Sequence, residues 1–253
     1  MTKGASTDII ISGTLAGLAE HTIGHVPRTV IDYKQFYHSR DINFYRVIYK
    51  QGGIPRFFKG IVPMLSGVSL AHVSLFTSLE CSKRYHQGIY SDTFFGVIGR
   101  VSHDIFMLPG DTIRMRSNIT NGTTLDTIKN IYSNFGFRGF YRGMGTSLIM
   151  TIPSGVVEFG VHNHLERKFG SDGFQPLVTG LATGISSSLV VSPLDTIKTC
   201  IQCDRVNGNN YNGFIDTIGK IHSKRGLAGF FRGSGLRCIQ TTACFTIYDI
   251  LSR

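Results

Sequence analysis

Gly53-Ile-Pro-Arg-Phe-Phe-Lys-Gly60, Gly136-Phe-Arg-Gly-Phe-Tyr-Arg-Gly143 and Gly226-Leu-Ala-Gly-Phe-Phe-Arg-Gly233 are one phrase written three times. Each copy sets two aromatic residues and a cation between glycines at the same spacing. Recurrence at a fixed interval is the signature of a tandem-repeat architecture. Upstream of each phrase, a glycine-containing apolar run ends in proline: Gly13 to Pro27, Gly96 to Pro109 and Gly180 to Pro193. These prolines stand 82 and 84 residues apart. Downstream of each phrase comes a second apolar run. The pattern predicts three units, 8–86, 91–169 and 174–253, each a helix, a proline, a polar stretch, a short amphipathic helix and a second long helix.

The first helices read Ile9–Val26, Phe94–Leu108 and Leu177–Ser192; the second read Ile61–Leu79, Met144–Val161 and Ser234–Leu251. Such runs approach the ~20 residues that cross a bilayer. They carry Ser, Thr, His and Gly throughout, so one face of each is suited to a polar interior rather than to lipid. Gly13 and Gly17, and Gly180 and Gly184, fall four apart on one helix face, where they let backbones approach. The fold class expected is therefore an all-α membrane protein with six tilted transmembrane helices. A soluble all-α repeat protein is the competing reading, although solenoid repeats are shorter than this one of about 80 residues.

Charge and composition narrow the class further. The chain has 26 Lys+Arg against 16 Asp+Glu, a formal net charge of +10, but no dense basic cluster of the nucleic-acid-binding kind. Cations flanking apolar spans suit an anionic lipid surface instead. Five cysteines, an odd and irregular set, argue against a disulfide framework. Cys200 and Cys203 form a lone C-x-x-C, better read as two incidental thiols than as a metal or redox site. Residues 1–7 carry neither a signal-peptide nor a transit-peptide pattern, so the chain is expected to hold its address internally. No nucleophile–base arrangement, phosphate loop or paired carboxylates appear, and an enzyme is not expected.

Over its whole length the sequence resembles the mitochondrial carrier family, whose odd-numbered helices carry Pro-x-acidic-x-x-basic. Pro109-Gly-Asp111-Thr-Ile-Arg114 and Pro193-Leu-Asp195-Thr-Ile-Lys198 match, while Pro27-Arg28-Thr29-Val-Ile-Asp32 has lost both charges of the motif. The resemblance implies pseudo-threefold symmetry, three short matrix-side helices, both termini in the intermembrane space, and an inner-membrane location in a mitochondrion or a reduced relative of one. It also implies a matrix gate in which the acid of one repeat pairs with the base of the next. Asp111 is then expected to meet Lys198. Asp195 is expected to face Asp32, a like charge, unless Arg28 or Lys34 supplies the missing base. A cytoplasmic-side gate is implied at Glu80 and Lys83, with no counterpart at His162–Glu166 and only a displaced one at Tyr248-Asp249. Substrate contact points are implied near Gly67, Val68, Met150, Thr151, Arg237 and Gln240. Cardiolipin is the bound lipid the family implies, with no tightly bound cofactor.

Within that family the local similarity is to mitoferrins, the iron carriers. Glu20-His21, Ala71-His72, His103-Asp104 through Met107 to Pro109, and Met150-Thr151-Ile152-Pro153 resemble their motifs, with Leu108 and Thr151 as departures. Independently of the resemblance, His21 and His103 each lie six residues before their proline, with Ser187 third in the series. Imidazole and thioether suit borderline and soft metals such as Fe(II). A transported ion needs weak sites that it can leave. The expectation is import of ferrous iron by alternating access, with His21, His72, His103, Met107 and Met150 as successive contacts. Two alternatives stand beside it: a carrier of another cofactor such as S-adenosylmethionine, and a carrier-fold accessory subunit of a large respiratory-type complex, suggested by the damaged first motif.

Overall fold

The structure is a computed structural model that describes residues 15, 17–18, 21–37, 43–85, 89–120, 122–169, 175–208 and 210–251. It is helical, with no strand among the described residues. The helices are α1 (His25–Phe36), α2 (Phe44–Gly52), α3 (Ile61–Tyr85), α4 (Ile89–Ile119), α5 (Thr124–Phe135), α6 (Met144–Phe169), α7 (Gln175–Gln202), α8 (Phe214–Arg225) and α9 (Ser234–Leu251). Twice the order is long helix, short helix, long helix, and in the first repeat the 12-residue α1 takes the leading place. Helices α4 and α7 run on through Pro109 and Pro193, and Pro27 sits in the first turn of α1, where a missing N–H is no loss.

The thrice-written phrase is one backbone shape. Gly53, Gly136 and Gly226 end α2, α5 and α8 at φ of 67°, 61° and 62°. Their N–H groups donate to the carbonyls of Tyr49, Tyr132 and His222 at 2.7, 2.8 and 2.8 Å. A 3₁₀ turn follows each time, at Ile54–Phe58, Phe137–Tyr141 and Leu227–Phe231. The closing glycines Gly60, Gly143 and Gly233 return to positive φ, at 78°, 86° and 87°. An added Cβ at Gly136 would meet nothing within 4 Å, so its substitution tests backbone strain alone. Gly136→Ala is expected to cost about 1–3 kcal/mol for a side chain forced into that region. Gly60→Ala should cost more, because its Cβ would also lie 2.7 Å from the Arg114 Cα. Thermal unfolding of the two variants in detergent checks the ranking.

The short helices carry their own caps. Thr123 and Asp126 form a reciprocal capping box at the start of α5, and the Thr123 bonds hold the Asp126 carboxyl below its ordinary range. Asn43 accepts from the Arg46 N–H ahead of α2. At α8 the cap is Gly213, and Asp216 instead takes the Asn212 N–H at 2.7 Å and Lys220 at 2.6 Å.

The chain forms two compact units. One comprises Met1–His25 with Phe58–Met144, the other Val26–Phe57 with Gly145–Arg253. In the first, α3 and α4 approach backbone to backbone. A Cβ at Gly67 would lie 2.5 Å from the Phe106 carbonyl oxygen, and one at Gly110 would overlap that of Pro63. In the second, α7 and α9 meet through Gly180 and Gly184, which face Thr246, Thr242 and the Cys238 carbonyl. This is the small-residue packing that helices use in membranes. Beneath it, Ile197, Cys200, Ile201, Tyr211, Ile221 and Phe230 form a buried apolar cluster. Cys200 and Cys203 are both buried, and neither is in a disulfide. Among the described residues, two segments are long and apolar enough to cross a membrane, Ile54–Leu75 and Gln175–Gln202. The second exposes Leu177, Leu181, Ile185 and Leu189, four apart along one face.

Candidate metal centre

Three histidines converge in the first unit. His72 projects from α3, His103 from α4, and His21 from the helical residues just ahead of α1. One ligand-capable atom from each lies within 4.8 Å of the others. The rings meet edge to face, with centroids 5.7 Å apart for His21 and His72 and 5.2 Å apart for His72 and His103. His72 is buried, and its Nδ1 lies 3.0 Å from the Val68 carbonyl oxygen. A carbonyl accepts only, so Nδ1 carries the proton and Nε2 is the ring's acceptor nitrogen. His103 Nδ1 lies 3.3 Å from the Asp104 carboxylate. Gly17 makes room for the middle ring: a Cβ there would overlap His72 at Nε2, Cδ2 and Cε1.

The spacing sets what the cluster can do. Two metal–imidazole bonds span at most about 4.2 Å between nitrogens. Ligand atoms up to 4.8 Å apart therefore need a small inward rotation to grip one ion. That spacing is looser than a closed coordination site requires.

Where successive contacts were expected, the three imidazoles instead share one place. Met107 lies on α4 in an apolar cluster with Met64, Val68 and Ala71. Gly67 and Val68 belong to the α3–α4 seam, Val68 fully buried and Gly67 against the Phe106 backbone. Met150 and Thr151 are half-buried on α6, where the Thr151 hydroxyl donates back to the Ser147 carbonyl at 2.9 Å. Gln240 is half-buried on α9, and Lys198 is half-buried on α7. The side chains of Glu80, Lys83, His162, Glu166, Tyr248 and Asp249, and the whole of Glu20, lie outside the described residues.

The proline motifs pair in two ways. Asp111 holds Arg114 of its own helix at 2.7 Å. Asp195, fully buried on α7, collects partners from α1 and α9. Arg28 reaches both its oxygens, at 2.9 and 3.2 Å, Gln35 donates at 2.9 Å, and Arg237 pairs at 2.9 Å. Arg28 also touches Asp32 at 3.4 Å, so one guanidinium separates the two acids of the damaged motif. Gln35 is fixed in turn by the Thr199 hydroxyl at 2.6 Å, and Arg225 donates to its carbonyl at 2.5 Å. Arg28 thus supplies the base missing from the first repeat. Sequence reasoning did not single out Gln35, Arg225 or His25. Gln35 and Arg225 carry no motif signal, whereas His25 stands two residues before Pro27 as Met107 stands before Pro109.

A helical chain of three repeats, with proline-motif charges paired between first helices, defines a membrane carrier. The match to the mitochondrial carrier protein family covers residues 5–90, 85–173 and 170–253, and the chain belongs to that family. It is thereby a solute transporter of the mitochondrial inner membrane. It is 26% identical to Mitoferrin of Caenorhabditis briggsae over 80% of this chain and 75% of that one. To Mitoferrin-1 of Homo sapiens it is 23% identical, over 98% of this chain and 83% of the relative. To Mitochondrial magnesium exporter 1 of Drosophila melanogaster it is 33% identical over 50% of this chain and 46% of the relative.

Proposed function

We propose that this carrier moves a divalent transition-metal ion, ferrous iron first, through the inner membrane, with His21, His72 and His103 as its transient site. The observation that carries the reading is the convergence of three imidazoles within 4.8 Å. The resemblance to mitoferrins implies iron, while another relative is named for magnesium export. Between them the donor set decides: Mg(II) takes oxygen ligands and holds its waters, whereas imidazole suits Fe(II). In this reading the repeats form six tilted spans and three matrix-side helices and rock around the site by alternating access. Asp195, Arg28 and Arg237 form the paired charges of a matrix-side gate. Anionic lipid of the cardiolipin type surrounds the bundle. Because Arg28 restores a base to the damaged motif, the structure offers less reason to treat the chain as an inert accessory subunit.

The test is uptake of Fe(II) into proteoliposomes containing an iron-quenched dye. Replacing both His72 and His103 by Ala should cut uptake at least tenfold. Unchanged uptake by the double variant would remove the metal reading.

A further inference from the structure

His25 opens α1, four positions beyond His21. It is 1% exposed, and neither Nδ1 nor Nε2 has a hydrogen-bond partner among the described residues, with the Lys59 backbone beside the ring. Buried polar atoms are almost always partnered, and leaving one bare costs about 1–3 kcal/mol. The Phe58 ring lies parallel to the imidazole, at 6.2 Å and 5°, so one face is covered and the nitrogen-bearing edge remains for a ligand. Arg114 and, more weakly, Asp111 of α4 act electrostatically on His25, and that carboxylate is held by its own-helix guanidinium at 2.7 Å, so a cation is favoured here only as it draws Asp111 away from Arg114.

The repeat makes the same point independently. Six residues before the proline stand His21 and His103; two residues before it stand His25 and Met107. The first two repeats therefore carry metal-capable donors at two levels, about one helical turn apart. In the third repeat those levels hold Ser187 and Val191.

We infer that His25 is a second ligand station for the transported divalent cation. It takes the ion from the histidine cluster and holds it where its charge competes with Arg114 for Asp111. The inference rests on the metal reading proposed above. Cargo at this level would loosen an acid–base pair of the second proline motif by substituting one cation for another. A packing role predicts the opposite of a ligand role, since an aromatic ring stacked on Phe58 serves packing as well as an imidazole does.

The full chain is reconstituted, with Co(II) as the spectroscopic binding probe and Fe(II) as the uptake probe. His25→Phe should keep Co(II) affinity within about twofold, because the cluster is intact, and should lower Fe(II) uptake at least tenfold. Uptake within twofold of the unaltered protein would overturn the inference and leave His25 as core packing. If His25→Phe does not fold, His25→Asn takes its place: a tenfold loss of uptake supports the ligand role, and uptake within twofold overturns it. A separate arm tests the underlying reading: Co(II) binding undiminished in the His72, His103 double variant would sink the cluster itself, whatever His25 does.

Discussion

Asp195→Leu is expected to lower the stability of the carrier by about 3–5 kcal/mol, the range for removing one partner of a buried ion pair. For a chain of this size that is a fall in melting temperature of roughly 6–20 °C. The carboxylate is fully buried, and it is the shared acceptor of Arg28, Gln35 and Arg237. Without it, Arg28 keeps the longer contact with Asp32 at 3.4 Å, and the mostly buried Arg237 loses its carboxylate. Arg28→Gln should be milder, because Arg237 and Gln35 still hold the acid. Asp195→Asn, which keeps the shape and an accepting oxygen, should fall between the two. Asp216→Asn serves as the control: its pair with Lys220 lies half-buried at the surface, and surface pairs contribute little. Thermal unfolding of all four variants in detergent measures the order. A melting temperature for Asp195→Leu within 2 °C of the parent would mean that the network does not hold the second unit together (about 1 kcal/mol or less).

Much of this was legible in residues. The three glycine-bounded phrases announced the repeat, and the structure shows why their spacing is strict: each glycine pair brackets a 3₁₀ turn that begins and ends at positive φ. A backbone requirement of that kind writes itself directly into sequence. Side-chain reach does not. The motif places its base three positions after its acid, and in the first repeat that reading found Asp32 where a cation belonged. Arg28, next to Pro27, answers Asp195 because a long flexible side chain can come from an adjacent helix position. Linear spacing could name Arg28 as one of two candidates but could not choose between it and Lys34. The histidines show the same limit. Their positions before the prolines placed His21 and His103 at one level, yet His72 comes from the second helix of a hairpin, and only the close approach of α3 to α4 sets its depth. That approach is fixed by Gly67 and Gly110, which the sequence offered merely as a contact point and as one residue of a motif.

Gly17→Ala is the sharpest test of the metal centre, because it removes no ligand. The new methyl would overlap the His72 ring at Nε2, the nitrogen opposite the one that faces the Val68 carbonyl. Either the ring turns out of the cluster or the helices part. Overpacking of this kind costs about 1–3 kcal/mol, and Co(II) affinity should fall at least tenfold as the central imidazole leaves. A double-mutant cycle separates the two consequences. In a His72→Ala background the space is vacant, so Gly17→Ala should add little further loss of stability and little further loss of binding. Strictly additive effects would show that Gly17 serves helix contact elsewhere and that the cluster does not depend on it. Strong coupling would place Gly17 beside the histidines as a residue without chemistry of its own, kept small so that the His72 ring keeps its place in the cluster.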